Sequence, residues 1–417
     1  MSKKRKNSNY KYSAEPLRAD KPKKSFLKIF ALVFLSAVML FGATLGIISS
    51  VINSNSVFKY EGVSLGSGEV NYLASYYKYR YMVSLSSGGV SVSDTNEFWN
   101  SAAEGDKTYS DLLREKTEGY IKEMLVAVYL FDSYSSLTSE QKDKIATACD
   151  EVLDYKANGN VDIFNNISRE FGFDFKSFKK ATTLLYKATM AQEVIYGASG
   201  ENMKNFPDLC THYLNASYSH VHLIFIRTEN TFVVNEDGNR VQGDDGYDLT
   251  RPLTDEEKAE REGAIAKLDE MILGFETQAD MQISPEMFFE YQKKYDEGDY
   301  TKYGTGYYFA ENSEYSKEFS SAFPEVVSTA LEMNASGYKK IKTDVGYCFI
   351  YKDKVEDGAY LSADKDFFTD FYSDAAAAVF ADSLVTLSEG VKVRDSFSQL
   401  DLVSLPYNND LIPRIER

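Results

Sequence analysis

At 417 residues the chain is long enough for two or three domains with a sizeable core. The net charge of −17 is unevenly placed: residues 1–28 hold ten Lys/Arg against two Asp/Glu, and the remainder 36 against 61. A body this acidic speaks against nucleic-acid binding, which needs a basic footprint, and three scattered cysteines without a CxxC speak against a disulfide framework.

Residues 1–28 read as a polar, Lys-rich cytoplasmic tail. The next twenty residues, 29–48, carry no charge, about 30 Å of helix at ~1.5 Å per residue, enough to cross a bilayer core. The basic cluster before them sets the N-terminus in the cytoplasm. The expectation is an uncleaved membrane anchor over 29–52 with the body on the extracytoplasmic side. The alternative, a cleaved signal peptide, fits less well because the apolar run is long and no small-x-small site closes it.

After a short strand at Val57–Tyr60 and a turn at Gly62, no proline occurs between Pro22 and Pro207, which permits long helices. Helices are expected over roughly 69–85, 108–135, 139–156, 174–197 and 201–215. Leu112, Ile121, Met124, Leu125, Val128 and Leu130 form an apolar stripe at helical spacing, read as a packing face. Cys149 lies in such a pattern and reads as a buried free thiol. Cys210 and His212 point to different sides of a helix.

The helical half ends at Tyr218-Ser-His-Val-His-Leu-Ile-Phe-Ile226, a strand rich in β-branched and aromatic residues. Period 2 places His220, His222, Ile224 and Ile226 on one face, and Val221, Leu223 and Phe225 on the other. The imidazoles suit a metal, a catalytic pocket or hydrogen-bonded core polar groups. A metal here lacks an acidic or Cys ligand at convincing spacing, so none is expected. Residues 229–252 are rich in turn residues, with Thr231–Val234 expected to pair with Arg240–Gln242. The acids Asp237, Asp244, Asp245 and Asp248 lack EF-hand spacing and read as a solvated loop. Thr254-Asp-Glu-Glu opens a helix to about Leu273, and a second runs from about Ser284 to Tyr295. Gly304-Thr-Gly-Tyr-Tyr-Phe309 and an aromatic-rich stretch to Phe323 follow. Then come a short helix to Met333, a turn and strand ending at Tyr351, an Ala-rich helix over 366–387, and a strand at Val391–Arg394.

This element order from residue 218 resembles the parvulin-type peptidyl-prolyl isomerase family. The resemblance is carried by His222-Leu-Ile-Phe-Ile, Phe289…Tyr295, Gly304-Thr-Gly-Tyr-Tyr-Phe309, the helix from Phe323 to Leu331, and Thr343-Asp-Val-Gly-Tyr-Cys348. Tyr60-Glu-Gly-Val-Ser-Leu with Glu69, and the helices to 215, are similar to the chaperone domain of extracytoplasmic foldases of the PrsA and SurA type. The resemblance implies an α+β fold: an anchor, a helical chaperone-like domain (57–215), an inserted parvulin-like domain (216–356) with a small antiparallel sheet, a C-terminal helix and strand (357–400) packing back on the helical domain, and a tail (401–417).

The resemblance also implies a site. His222 lies on the pocket floor and faces Cys348, which stands where the family has a second His. Asp299, competing with Gly298, supplies the polar loop group. Phe309, Phe319, Phe323 and Tyr308 receive the substrate proline. No cofactor is implied, and the partners are unfolded or secreted polypeptides. Twisting an X-Pro amide against a barrier of about 20 kcal/mol asks for an apolar socket and complementary polar groups. Three readings stay open: an isomerase, a catalytically degenerate chaperone, and a membrane-anchored adaptor.

Overall fold

The computed structural model describes residues 56–244, 246–277, 285–298 and 305–415. The expected basic tail and anchor, and Asp299, lie outside them. Among the described residues, no helix is long and apolar enough to cross a membrane.

The architecture is mixed α+β with small antiparallel sheets. Strands β1 (Phe58–Tyr60) and β2 (Val63–Leu65) form a hairpin. Its turn, Glu61-Gly62, places both residues at positive φ (40° and 96°), the backbone that a tight two-residue hairpin requires. Helices α1 (Ser67–Ser87), α2 (Tyr109–Tyr134), α3 (Ser139–Ala157), α4 (Val161–Ser168) and α5 (Phe175–Tyr196) follow. Their starts are local chemistry. Thr108 with Asp111, and Thr138 with Gln141, form reciprocal capping boxes, while Asn160 and Asp174 cap α4 and α5. The α2 stripe is buried at Ile121, Met124, Leu125, Val128 and Leu130, and α2 packs mainly on α5.

Two of the expected helices begin later than predicted. The segment over 201–215 is a 3-10 turn, Glu201–Asn205, followed by α6 (Pro207–Ser217). Pro207 suits a first helical position, and the residue before a proline avoids helical backbone. Near the C-terminus, a 3-10 turn at Lys365–Phe368 precedes the true helix. Helix α4 was not legible as a separate element.

Helix α6 runs directly into β3 (Tyr218–Arg227), the centre of a four-stranded antiparallel sheet of order β6-β3-β8-β7. Its other strands are β6 (Tyr307–Ala310), β7 (Gly337–Thr343) and β8 (Gly346–Asp353). Helices α7 (Asp255–Thr277) and α8 (Pro285–Tyr295) cover one face. There Ile224, Ile226 and Phe349 pack with Ala264, Leu268 and Phe288. Helices α9 (Glu314–Ala322) and α10 (Pro324–Glu332) lie on the other face. Ser219 Oγ donates to Ala330 O (2.6 Å), and Phe225 meets Phe323 with ring centroids 4.9 Å apart. Helix α9 arises where the sequence shows only an aromatic-rich stretch.

The 229–252 insertion differs from expectation. Strand β4 (Asn230–Phe232) pairs with β5 (Thr250–Pro252), so Thr231 lies opposite Arg251. The expected pairing survives only beyond Phe232: Val241 N donates to Val233 O (2.9 Å), and Leu249 N to Val241 O (2.8 Å). Two reverse turns, rather than one, fold the insertion.

Helix α11 (Phe371–Ser388) packs on α2 and α6, and β9 (Lys392–Val393) pairs antiparallel with β1. The last strand thus completes the sheet begun by the first. The tail lies along α1. Tyr72 donates to Leu411 O (3.2 Å), and buried Lys78 donates to Val403 O and Leu405 O (2.8 Å each). Lys78 also pairs with Asp94 (2.7 Å), which accepts from the Nε1–H of Trp99 (2.6 Å). A buried ammonium needs such a full set of acceptors.

Candidate functional site: two faces of one sheet

Strand β6 pairs only with Tyr218–Val221 of β3. Beyond it, the β3 edge would expose unpaired backbone groups, which must find partners when buried. The end of α8 and the residues after it supply them. Gln292 Nε2 donates to Leu223 O (2.9 Å) and Phe225 N donates to Asp296 Oδ1 (2.7 Å). Glu297 N donates to Phe225 O (2.9 Å), and Arg227 N donates to Glu297 Oε2 (2.6 Å). Asp296 Oδ1 also accepts from Gly298 N (3.1 Å). Burial pushes the Asp296 carboxyl up to about 6, against the two N–H groups that hold it down.

Above this edge lies a cleft of about 690 Å³. Phe225, Tyr307, Tyr315, Phe319 and Phe323 wall it. Phe319 and Phe323 stand 5.6 Å apart, and Tyr307 meets Phe319 edge-on at 5.7 Å. At the mouth, Arg227 and Arg240 stack on Phe232, 4.2 and 3.9 Å from its centroid. Arg240 also donates to Glu297 O and Gly298 O (3.1 and 2.9 Å), tying the insertion to the loop. Glu314, Glu318 and Asp366 form an acidic lip. A side chain at Gly298 would be tight: a Cβ would lie 3.1 Å from Asp296 Oδ1 and 3.3 Å from Phe225, so those neighbours would have to give by a few tenths of an ångström.

The expected site residues are divided between the faces. Phe319 and Phe323 line the cleft. Phe309 is fully buried behind them, 5.1 Å from Phe319. Tyr308 points to the opposite face and stacks on His220. Cys348 does not face His222. It pairs in register with Phe225, whereas His222 pairs with Tyr351. Partners in register share a face, and positions 348 and 351 differ by an odd step, so Cys348 lies on the cleft face and His222 on the other. The Cys348 thiol is fully enclosed, and burial, then Asp296, pushes it well above its usual range. It is a protonated core group and a poor nucleophile.

On the second face, His220 stacks on Tyr308 with centroids 4.3 Å apart and planes within 3°. His222 packs on Phe289 (4.5 Å) and lies 4.8 Å from His220. His220 Nδ1 lies 3.0 Å from Lys354 O and Nε2 lies 2.9 Å from Thr305 O. His222 Nδ1 is buried without a hydrogen-bond partner among the described residues, and Nε2 is 4.0 Å from Asp353 Oδ2. Burial, reinforced by His220, holds the His222 imidazole neutral down to about 3. Gly306, at φ +100°, lets the backbone pass beside both rings; a Cβ there would fall 2.4 Å from His220 Nε2.

Asp296 and Asp353 were missed from the sequence. Asp296 immediately follows the Phe289…Tyr295 pattern, so its position in the sequence carries a signal alongside Gly298 and Asp299. Asp353 had no local signal, because only the β3–β8 register brings it opposite His220.

No family model and no curated protein matches the chain. Among solved structures, the crystal structure of PrsA from Bacillus subtilis aligns with 70% of this chain and 91% of that one, at 12% identity and a TM-score of 0.19. A superposition that loose bears no weight for fold or function, and the reading rests on the geometry of the two faces.

Proposed function

We propose that this chain is a polypeptide-binding folding factor that captures extended, apolar segments in the aromatic cleft. The observation that carries this reading is the juxtaposition of Phe225, Phe319 and Phe323 at an open mouth. Rings held 5–6 Å apart at a cleft wall suit a planar or cyclic apolar side chain, proline included. The finer proposal is acceleration of X-Pro isomerisation. The aromatic walls shield a bound amide from water, while Glu297 and the Gly298 loop, which line the cleft, offer polar groups beside it. Isomerisation breaks no bond, so no nucleophile, metal or cofactor enters this step.

The division of His222 and Cys348 between opposite faces favours a second reading, a chaperone that binds without catalysis. On either reading, the uncharged run after a basic tail supports anchoring at a membrane with the body on the extracytoplasmic side.

A protease-coupled assay of a proline tetrapeptide with the full chain separates the readings. A cis-to-trans rate above the uncatalysed control, lost in Phe323→Ala, is expected for the isomerase. A rate equal to the control removes the isomerase and leaves the chaperone. Failure to suppress aggregation of an unfolded client, together with no peptide binding, removes both.

A further inference from the structure

The face opposite the cleft carries a feature that the folding-factor reading does not use. His220 and His222 lie two residues apart on one strand, and Asp353 sits opposite His220 in the β3–β8 register. One ligating atom from each of the three lies within 4.8 Å of the others. Both histidines are almost fully buried (2% and 3% exposed), while Asp353 reaches partly into solvent.

The hydrogen bonding of this group is incomplete. Both ring nitrogens of His220 abut carbonyl oxygens, which only accept. A neutral imidazole has one N–H, so in either tautomer one nitrogen turns a lone pair toward an oxygen lone pair. His222 adds a buried nitrogen with no partner among the described residues. The His220 nitrogen that lacks a donor, His222 Nε2 4.0 Å from Asp353, and the carboxylate itself, gathered in a pocket kept clear by Gly306, are short of a cation.

We propose that His220, His222 and Asp353 bind one divalent transition-metal ion of the zinc class. Two imidazoles and one carboxylate suit zinc and its first-row neighbours rather than calcium or magnesium, which take oxygen sets. With His220 bound through Nε2, its Nδ1–H donates to Lys354 O, the outer contact that fixes the tautomer of a metal-bound histidine. Metal–ligand bonds of roughly 2.0–2.2 Å put tetrahedral donors about 3.4 Å apart. The site would therefore close by about 0.6 Å between His222 Nε2 and Asp353, now 4.0 Å apart, and by up to about 1.4 Å across the widest pair, within 4.8 Å, through rotation of the partly exposed carboxylate and the rings. Three protein ligands leave the fourth position for water or Thr305 O. The ion would pin β3 to β8 and to the segment entering β6. The inference does not depend on the cleft's function.

The test is equilibrium dialysis of the full-length, chelator-stripped chain against Zn²⁺, with Co²⁺ absorption as the geometric readout. The expected result is one Zn²⁺ per chain and visible Co²⁺ bands of tetrahedral intensity. Affinity should fall at least about tenfold in Asp353→Asn and in His222→Gln, and stay unchanged in His212→Gln. Absence of stoichiometric binding at micromolar Zn²⁺ overturns the proposal. Binding unchanged in Asp353→Asn also overturns it. Asp353 is half-exposed, so that variant decides the matter even if His222→Gln fails to fold.

Discussion

The two faces of the central sheet share the same strands and do opposite things with aromatic residues. Under α7 and α8 the rings are closed: Phe288, Phe349, Tyr338 and Tyr351 pack among Ile224, Ile226 and Leu268, and the histidines are sealed beside them. Under α9 and α10 the rings stand at an opening, because β6 begins at Tyr307 and, among the described residues, no strand continues along β3. A closed cluster converts aromatic area into stability, whereas an open one keeps it for a ligand. A strand edge closed by the end of a helix and the loop after it, instead of another strand, leaves one face of the sheet available.

The sharpest way to break that comparison is to remove one ring from each face. Phe349→Ala, on the closed face and fully buried, should cost about 3–5 kcal/mol, read as a large drop in the denaturation midpoint. If it costs no more than a cleft substitution, the closed face is not the core.

The titratable groups of the two faces should bend stability in opposite directions. Asp296, raised to about 6 by burial, favours the fold below its ordinary value of 3.8, and that contribution disappears as pH rises through about 6. A shift of that size is worth on the order of 2–3 kcal/mol. Asp296→Asn, which keeps an acceptor for Phe225 N, should flatten the loss between about pH 4 and 6. His222, depressed to about 3, contributes stability present above 6.5 and lost as pH falls through about 3. His222→Leu should remove that acid loss. Urea midpoints across pH check both variants, and equal slopes in variant and parent would show that the buried group does not carry the linkage.

Cleft residues should show the smallest stability cost and the largest binding effect. Phe319 and Phe323 are only half-buried, so Ala at either should cost about 1–2 kcal/mol at most. Binding of an apolar proline-containing peptide should weaken about tenfold, roughly 1.4 kcal/mol, measured by fluorescence anisotropy. Unchanged binding in both variants would remove the cleft as the peptide site.

Much of the local structure was legible. Capping residues and proline-free spacing marked α1, α2, α3 and α5 to within about two residues, because helix ends are set by neighbours in the chain. Phe319 and Phe323 were legible as candidate socket residues. The edge-capping roles of Gln292, Asp296 and Glu297 were not, since they depend on where β6 begins. Nor was the place of the C-terminal tail, whose anchor is Lys78 in the first long helix.

The opening strand shows where the boundary falls. Its sequence alone determined that His220 and His222 share a face and that Phe225 takes the other, because side-chain alternation follows from the extended backbone of that strand. Only the tertiary structure decided that Cys348 joins Phe225, that Asp353 joins the histidines, and that Asp296 closes the edge between them. Those are matters of register between segments far apart in the chain. A one-residue difference in register moves a side chain to the other face, and local sequence periodicity carries no record of it.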